Sequence, residues 1–324
     1  MRATRTGLAA YIESYRDVTP TVREFTLRAP ADVAKHLLSW QPGAHLQLYL
    51  TINGLPQTRH YSLLPASAPD VFKIAVKRAE PGRGGSQAMW QLQIGDTLHI
   101  SPPLNHFPLD VTAPAYLLIA GGIGITPMLG MAARLSQAGA NFRLLYGARD
   151  AQEFAFEPEL RELLGERLQL STQNLDFSKT IEALPELAQA YVCGPSGMLS
   201  SVRNAWLENG RPEHLLRFET FGGGPGGAPF EVFLPRHGLT FEVAPSMSLL
   251  DTLEQQGIAA MYGCRKGECG LCAVNVLSLD GEIEHRDVFF SEHEKKTNSQ
   301  ICVCVSRVRG KIALDSAYRP EATL

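Results

Sequence analysis

The stretch YGCRKGECGLCAV, residues 262–274, carries Cys264, Cys269 and Cys272 in C-x4-C-x2-C spacing among Gly263, Gly267 and Gly270. Such a loop suits an iron–sulfur cluster, which must be wrapped without being blocked. Glycine frees the backbone for that path and leaves its amides open to the sulfurs. A zinc site with four cysteine ligands is the competing reading. It normally uses pairs of cysteines two to four residues apart, whereas here three ligands and three glycines share one loop. The fourth ligand is Cys302 or Cys304, which stand two apart in an expected strand and so point to one face; periodicity does not choose between them.

Five of the six cysteines fall between positions 264 and 304, and the sixth is Cys193. A chain of 324 residues can bury cores without disulfide staples, and in the cytoplasm its thiols stay reduced, so the clustering points to metal. Hydrophobic residues make up 44% and the formal charge is −3, which describes an ordinary globular protein with no basic surplus for nucleic acid. No run of about 18 apolar residues offers a membrane span. A cytoplasmic location is expected. The length implies two or three domains at roughly 100–150 residues each.

Working back from the cysteines, GGGPGGAP (residues 222–229) includes five glycines and no large apolar anchor, and reads as a flexible linker. Between it and the cysteine loop stand a strand pair, FEVFL and LTFEVA, and a helix over about 249–256. Before it, from Tyr116, the strand YLLIA, a helix to about Ala138 and the strand FRLLYG (142–147) alternate as in a parallel α/β sheet. The first hundred residues instead carry short strands, VREFTLRA (22–29), AHLQLYLTI (44–52), RHYSLL (59–64), FKIAVKRA (72–79) and DTLHISPP (96–103), punctuated by Gly and Pro. They predict an antiparallel barrel or sandwich.

The turn GGIGITPML (121–129) follows the strand YLLIA. Its Gly121, Gly122 and Gly124 let a pyrophosphate approach the backbone, and the helix start behind them offers free amides. Gly122-x-Gly124-x-x-Pro127 lacks the last glycine of the usual dinucleotide fingerprint, and a tight turn into a proline-started helix reads almost the same way. A second signal, YVCGPSGML (191–199), closes the same α/β region. After FRLLYG comes GARD, whose Arg149 and Asp150 could meet the adenosine ribose of a bound dinucleotide. An acidic side chain there accepts from the ribose hydroxyls and repels a 2′-phosphate, favouring NADH.

In the barrel region, Arg59-His60-Tyr61-Ser62 resembles the R-x-Y-S pattern by which the ferredoxin reductase superfamily holds flavin, and the residues suit it: an aromatic ring to pack on an isoalloxazine, a hydroxyl for its N5 and a guanidinium for phosphate. Downstream, AVKRAEPGRGGS (75–86) sets Gly82, Arg83, Gly84, Gly85 and Ser86 where amides can cradle that phosphate.

Taken together, RHYSL, IAVKR, GRGGS, FPLD, AGGIGITPM, CGP, FETFG (218–222) and the cysteine segment resemble the phthalate dioxygenase reductase family of the ferredoxin reductase superfamily along nearly the whole chain. The last 95 residues resemble a plant-type ferredoxin. The resemblance implies a multidomain architecture of antiparallel β-barrel flavin domain (1–111), α/β parallel-sheet NAD domain (112–222) and α+β β-grasp ferredoxin domain (223–324). It implies FMN rather than FAD, NADH and a [2Fe-2S] cluster held by Cys264, Cys269, Cys272 and, from VCVSR, Cys304, with Cys302 a buried thiol. Arg59, Tyr61, Ser62, Ala75, Val76 and Lys77 fall in the flavin site, with His60 at most a backbone contact. Thr126, Cys193, Gly194 and Pro195 fall at the nicotinamide, and Phe221 covers the flavin. Ser62, Cys193 and Phe221 would stand at the reacting atoms.

The function so implied is the reductase component of an oxygenase system, with a Rieske-type terminal oxygenase or demethylase accepting the electrons. A reductase for another acceptor and a flavin and iron–sulfur redox sensor without turnover are the competing readings. No haem motif and no pair of histidines with a carboxylate marks an oxygen-activating iron in this chain, so oxygen chemistry is expected in a partner.

Overall fold

The computed structural model describes residues 7–30, 40–52, 54–66, 68, 70–79, 84–173, 175–221, 227–245 and 247–315. Chain contacts divide it into two compact units, residues 1–219 and 220–324.

The first unit opens with an antiparallel sheet in the order β4-β5-β2-β1-β6-β3-β7, and an additional β3–β4 pairing closes it into a barrel. Its strands are β1 (Leu8–Thr19), β2 (Val22–Arg28), β3 (Ala44–Ile52), β4 (Leu55–Leu64), β5 (Val71–Lys77), β6 (Thr97–Ile100) and β7 (Leu104–Asn105). Alternation explains which side fills the barrel: Leu46, Leu48, Leu50 and Ile52 of β3 are buried, whereas Thr51 is exposed. All five expected strands are present. The unforeseen members are the two-residue β7 and the long β1, whose mixed burial and charged Glu13, Arg16 and Asp17 obscure a two-residue period. Those charges serve the neighbouring strand: Arg23 of β2 donates to Asp17 at 2.6 Å and Arg28 to Glu13 at 2.7 Å.

A five-stranded parallel sheet follows in the order β10-β9-β8-β11-β12, built from β8 (Tyr116–Gly121), β9 (Phe142–Gly147), β10 (Leu168–Ser171), β11 (Gln189–Cys193) and β12 (Leu216–Glu219). Every residue of β8 and β11 is buried, as strands covered on both faces require. The barrel and this sheet share one core. Val22, Leu64, Ala75 and Phe107 pack with Tyr116, Met128, Met131 and Tyr146, and the rings of Phe107 and Tyr191 lie 5.5 Å apart.

The second unit has a mixed sheet, β14-β13-β17-β15-β16, of β13 (Phe230–Leu234), β14 (Leu239–Val243), β15 (Ala273–Glu284), β16 (Gln300–Cys302) and β17 (Arg307–Asp315). Among these described strands, only β13 and β17 run parallel. The helix over Leu249–Gln255 lies where expected, started by a capping box in which Ser248 and Asp251 bond reciprocally. Residues 222–226 of the expected linker lie outside the described residues. Just beyond them, buried Arg307 donates to the carbonyls of Ala228 at 2.9 Å and Met247 at 2.7 Å.

One buried network holds the floor of the parallel sheet. The Tyr191 hydroxyl donates to Gln189 Oε1 at 3.0 Å and accepts from the Asp110 amide at 2.8 Å. Tyr191→Phe leaves both partners short of a bond and is expected to cost about 1–2 kcal/mol. Chemical denaturation followed by fluorescence measures this, and an unchanged midpoint would remove the network as a stabilising element.

Candidate functional site

The barrel opens between β4 and β5. Their ladder has only two pairs, Leu63↔Ile74 and Leu64↔Lys73. Beyond it, among the described residues, no pairing joins Arg59–Ser62 to Ala75–Lys77, so the two segments singled out for flavin flank the same opening. Ser62 is 4% exposed, and its buried Oγ has no hydrogen-bond partner among the described residues. A buried hydroxyl without a partner costs on the order of 1–3 kcal/mol, which a bonded heteroatom from a ligand relieves. The site fits a flavin in this respect.

Arg59 lies against the start of α1 (Gly85–Gln91): a Cβ added to Gly85 would meet its side chain, and its guanidinium bonds Gln57 Oε1 and, at 3.0 Å, the Thr58 carbonyl. Gly84 precedes α1 with φ of 75°, a left-handed conformation that favours glycine, and Ser86 Oγ accepts from the Ala79 amide at 3.1 Å. Gly82 and Arg83 lie outside the described residues. His60 stacks on buried His45 with ring centroids 5.2 Å apart, consistent with a side chain turned to a neighbouring strand. Lys77, expected near the flavin, has its ammonium 2.7 Å from Glu153 Oε2.

Two turns meet at the carboxyl ends of β8 and β11, the edge where open α/β sheets bind ligands. A 3-10 turn over Gly122–Gly124 leads into α2 (Ile125–Gln137), which contains Thr126 and Pro127. Close backbone approach explains the glycines: a Cβ on Gly124 would overlap the Cys193 carbonyl, and one on Gly121 would lie 2.7 Å from Pro195 Cδ. Gly194 approaches Gly121 in the same way. Thr126 Oγ1 donates to the Ile123 carbonyl at 3.0 Å. The Cys193 side chain is fully buried and joins the shared core, so it is the main chain of Cys193–Pro195 that borders the turn. Arg149 and Asp150 are exposed beyond β9, and one Asp150 oxygen caps the next turn, accepting from the Gln152 amide at 2.9 Å.

In the second unit, the cysteine loop is shaped by amide-to-sulfur bonds. The amides of Lys266 and Glu268 donate to Cys264 Sγ at 3.3 and 3.4 Å, and that of Cys264 to Cys269 Sγ at 3.5 Å. Left-handed Gly267 and Gly270 pass where a side chain would strike Asp287 and the Phe289 ring. Arg265 locks the outer side: its guanidinium lies 4.0 Å from the Tyr262 ring centroid and pairs with Asp251 and Glu254. Cys269 is exposed and the other loop cysteines are buried.

The expectation that Cys302 and Cys304 share a strand face is not met. Cys302 ends β16, fully buried and paired with Ala273, and the chain then turns, so Cys304 stands in the loop. Its Sγ lies 3.1 Å from Cys272 Sγ and also accepts from the Gly267 amide. These contacts set Cys304 beside the loop cysteines, and Cys302 also bonds Cys272. Contact with Cys302 and Cys304 pulls the Cys272 thiol below its usual range, and the same contact with Cys272 pushes theirs up.

Three supporting groups had no motif to announce them. Asp287 accepts from the Phe290 amide and the Ser306 hydroxyl, each at 3.0 Å, beneath the cysteine loop. Thr220, next to half-exposed Phe221, donates from its hydroxyl to the Lys266 carbonyl at 2.7 Å and from its amide to Glu268. Glu153 is the third.

Comparison with known proteins assigns all three regions. An oxidoreductase FAD-binding domain matches residues 9–108, an oxidoreductase NAD-binding domain residues 118–204, and a 2Fe-2S iron–sulfur cluster binding domain residues 232–309. The chain is 38% identical over 317 residues to the heme-dependent oxidative N-demethylase beta subunit of Ectopseudomonas mendocina (strain ymp), covering 96% of this chain and 99% of that one. It is 35% identical over 319 residues to phthalate dioxygenase reductase of Burkholderia cepacia, covering 94% and 96%. A solved phthalate dioxygenase reductase, described as a modular structure for electron transfer from pyridine nucleotides to [2Fe-2S], superposes with a TM-score of 0.76 at 34% identity over 95% of this chain and 98% of that one. With its flavin barrel, nicotinamide sheet and ferredoxin unit in one polypeptide, the chain belongs to the phthalate dioxygenase reductase family of NADH-dependent flavin iron–sulfur oxidoreductases.

Proposed function

We propose that this chain is the reductase component of a two-component oxygenase system, carrying electrons from NADH through FMN and a [2Fe-2S] cluster to a Rieske-type terminal oxygenase or demethylase. The observation that carries this is the presence, in one chain and in this order, of a flavin module, a nicotinamide module and a ferredoxin module. We take the modules to span 1–111, 112–222 and 223–324.

When bound, the flavin supplies the conversion between a two-electron hydride and single electrons, and the cluster carries those one at a time. The chain's own residues hold these groups. Ser62 Oγ would donate to the flavin ring at N5 and so lose its unsatisfied state, Tyr61 would pack on the ring and Phe221 would cover it. Arg59, with Gly82, Arg83, Gly84, Gly85 and Ser86, would hold a terminal phosphate, which suits FMN, and the main chain of Ala75 and Val76 would line the ring edge. Gly121, Gly122 and Gly124 admit the NADH pyrophosphate, and Thr126, Pro127, Cys193, Gly194 and Pro195 border the nicotinamide. Asp150 keeps an oxygen for the ribose, beside Arg149. Alignment of the two rings is the protein's main contribution, since orientation supplies much of the rate.

The N-demethylase relative favours a second acceptor, since its name places a subunit of this kind in a heme-dependent system. Titrating the reduced protein against a Rieske oxygenase and against a haem demethylase, each from the neighbouring genes, separates the two. Among the described residues no helix is long and apolar enough to cross a membrane, and we place the protein in the cytoplasm, where its cysteines stay reduced.

Three outcomes test this reading. Purified protein is expected to be reddish brown, with about one FMN, two irons and two labile sulfides per chain; zinc without sulfide defeats the cluster, and released FAD defeats the FMN assignment alone. NADH is expected to exceed NADPH by about tenfold or more in kcat/KM, equivalent to about 1.4 kcal/mol. Equal use of both would hand control of the pocket to Arg149. Finally, Cys304→Ser should lose the cluster while NADH still bleaches the flavin, whereas Cys302→Ser keeps the iron at a cost of about 1–2 kcal/mol in stability. Iron lost from the Cys302 variant instead reverses the ligand assignment.

A further inference from the structure

Glu153 ends the short turn that Asp150 begins, and it faces the barrel rather than solvent. Both of its oxygens accept from Thr21 Oγ1, at 2.9 and 2.7 Å, and Oε2 also accepts from Lys77 Nζ at 2.7 Å. Thr21 lies in the turn between β1 and β2, and Lys77 ends β5, the strand that carries Ala75 and Val76 along the flavin opening. The Lys77 contact holds the Glu153 carboxyl below its ordinary range.

The turn itself is stiff. Asp150 caps it through the Gln152 amide, the Glu153 amide donates to the Asp150 carbonyl at 3.1 Å, and the Ala155 amide donates to both the Glu153 carbonyl and the Tyr146 hydroxyl. Behind it, Phe154 meets the Tyr146 ring at 5.1 Å and Phe156 takes φ of 62°. Apolar burial alone lets two packed layers slide, whereas a carboxylate gripped from two strands fixes their register. An exposed ion pair contributes little, but this carboxylate is only 20% exposed and accepts from two donors, Thr21 and Lys77.

We propose that Glu153 is a positioning residue for hydride transfer: it pins the turn carrying the ribose residue Asp150 to the strand bordering the flavin, and so sets the spacing between the two rings. This rests on the reading of Asp150 and the β4–β5 opening given above. A displacement of the order of 1 Å in such an alignment costs roughly 100-fold in rate.

The test uses the full-length holoprotein and the variants Glu153→Ala, Glu153→Gln, Lys77→Met and the exchange pair Lys77→Glu with Glu153→Lys. Wild type must first show flavin bleaching by NADH, and its failure there would sink the functional reading rather than this one. With FMN content unchanged, Glu153→Ala is expected to slow flavin reduction by about 10- to 100-fold in stopped flow. It should also weaken NAD+ binding in calorimetry and speed hydrogen exchange at residues 151–155. Glu153→Gln, which keeps the bond from Thr21, should fall between, and the exchange pair should recover most of the rate. A lowered melting temperature with reduction rate and NAD+ affinity within about twofold of wild type would make Glu153 merely structural and overturn the proposal. Impaired single variants that the exchange pair does not restore would overturn it too. Should Glu153→Ala fold poorly, Lys77→Met breaks the same pin from the barrel side, and an unslowed flavin reduction in that variant would equally overturn the proposal.

Discussion

A hydride passes only between atoms held in near contact, so the surfaces presenting its donor and acceptor cannot move independently. In this chain the barrel and the parallel sheet meet that demand by sharing one core: Val22, Leu64, Ala75 and Phe107 interleave with Tyr116, Met128, Met131 and Tyr146. Glycines then bring backbones where side chains would hold them apart, with Gly124 on the Cys193 carbonyl and Gly194 on Gly121. Burial fixes the distance between the layers, and Arg16 and Glu159 meet across the rim at 2.8 Å. The unit is organised around a gap in its hydrogen bonding, the short β4–β5 ladder, with an unsatisfied serine at its edge.

The ferredoxin unit answers a different demand. Sulfurs that are to bind iron must be stabilised as thiolates while water is excluded from most of them. Main-chain amides of residues 264–268 point at Cys264, Cys269 and Cys304, which is charge stabilisation without a titrating side chain. The loop holds this shape because its supports are anchored elsewhere: Asp287 below, Arg265 outside and Thr220 beside it.

What can be read from the chain follows from what each feature depends on. The cysteine triple, the glycine turn at 121–124 and the RHYS segment are local constraints, legible because few residue types satisfy them. The strands Ala44–Ile52 and Phe142–Gly147 are legible because burial sets their pattern. By contrast, β1 is held by charge pairs to β2, and its pattern depends on a partner that no window of sequence contains. Cys302 and Cys304 read as strand neighbours because the turn after Cys302 has no Gly or Pro to mark it. Glu153 and Lys77 are separated by 76 positions and become a pair only once the barrel has closed. The IAVKR segment marks Lys77 for the flavin site, while its ammonium contact with Glu153 has no local signal.

The parallel pairing of β13 with β17 has a topological consequence. The chain enters the ferredoxin sheet at one end of this pair, where Arg307 holds the Ala228 carbonyl, and leaves it at the other, where Arg236 meets Asp315. Entry and exit are therefore separated by about a strand's length, roughly 17 Å for five residues. With its own closed core, the unit presents its two chain ends at opposite ends of one strand pair. Gene fusion can then attach such a module at either side of a catalytic neighbour without rebuilding its interior.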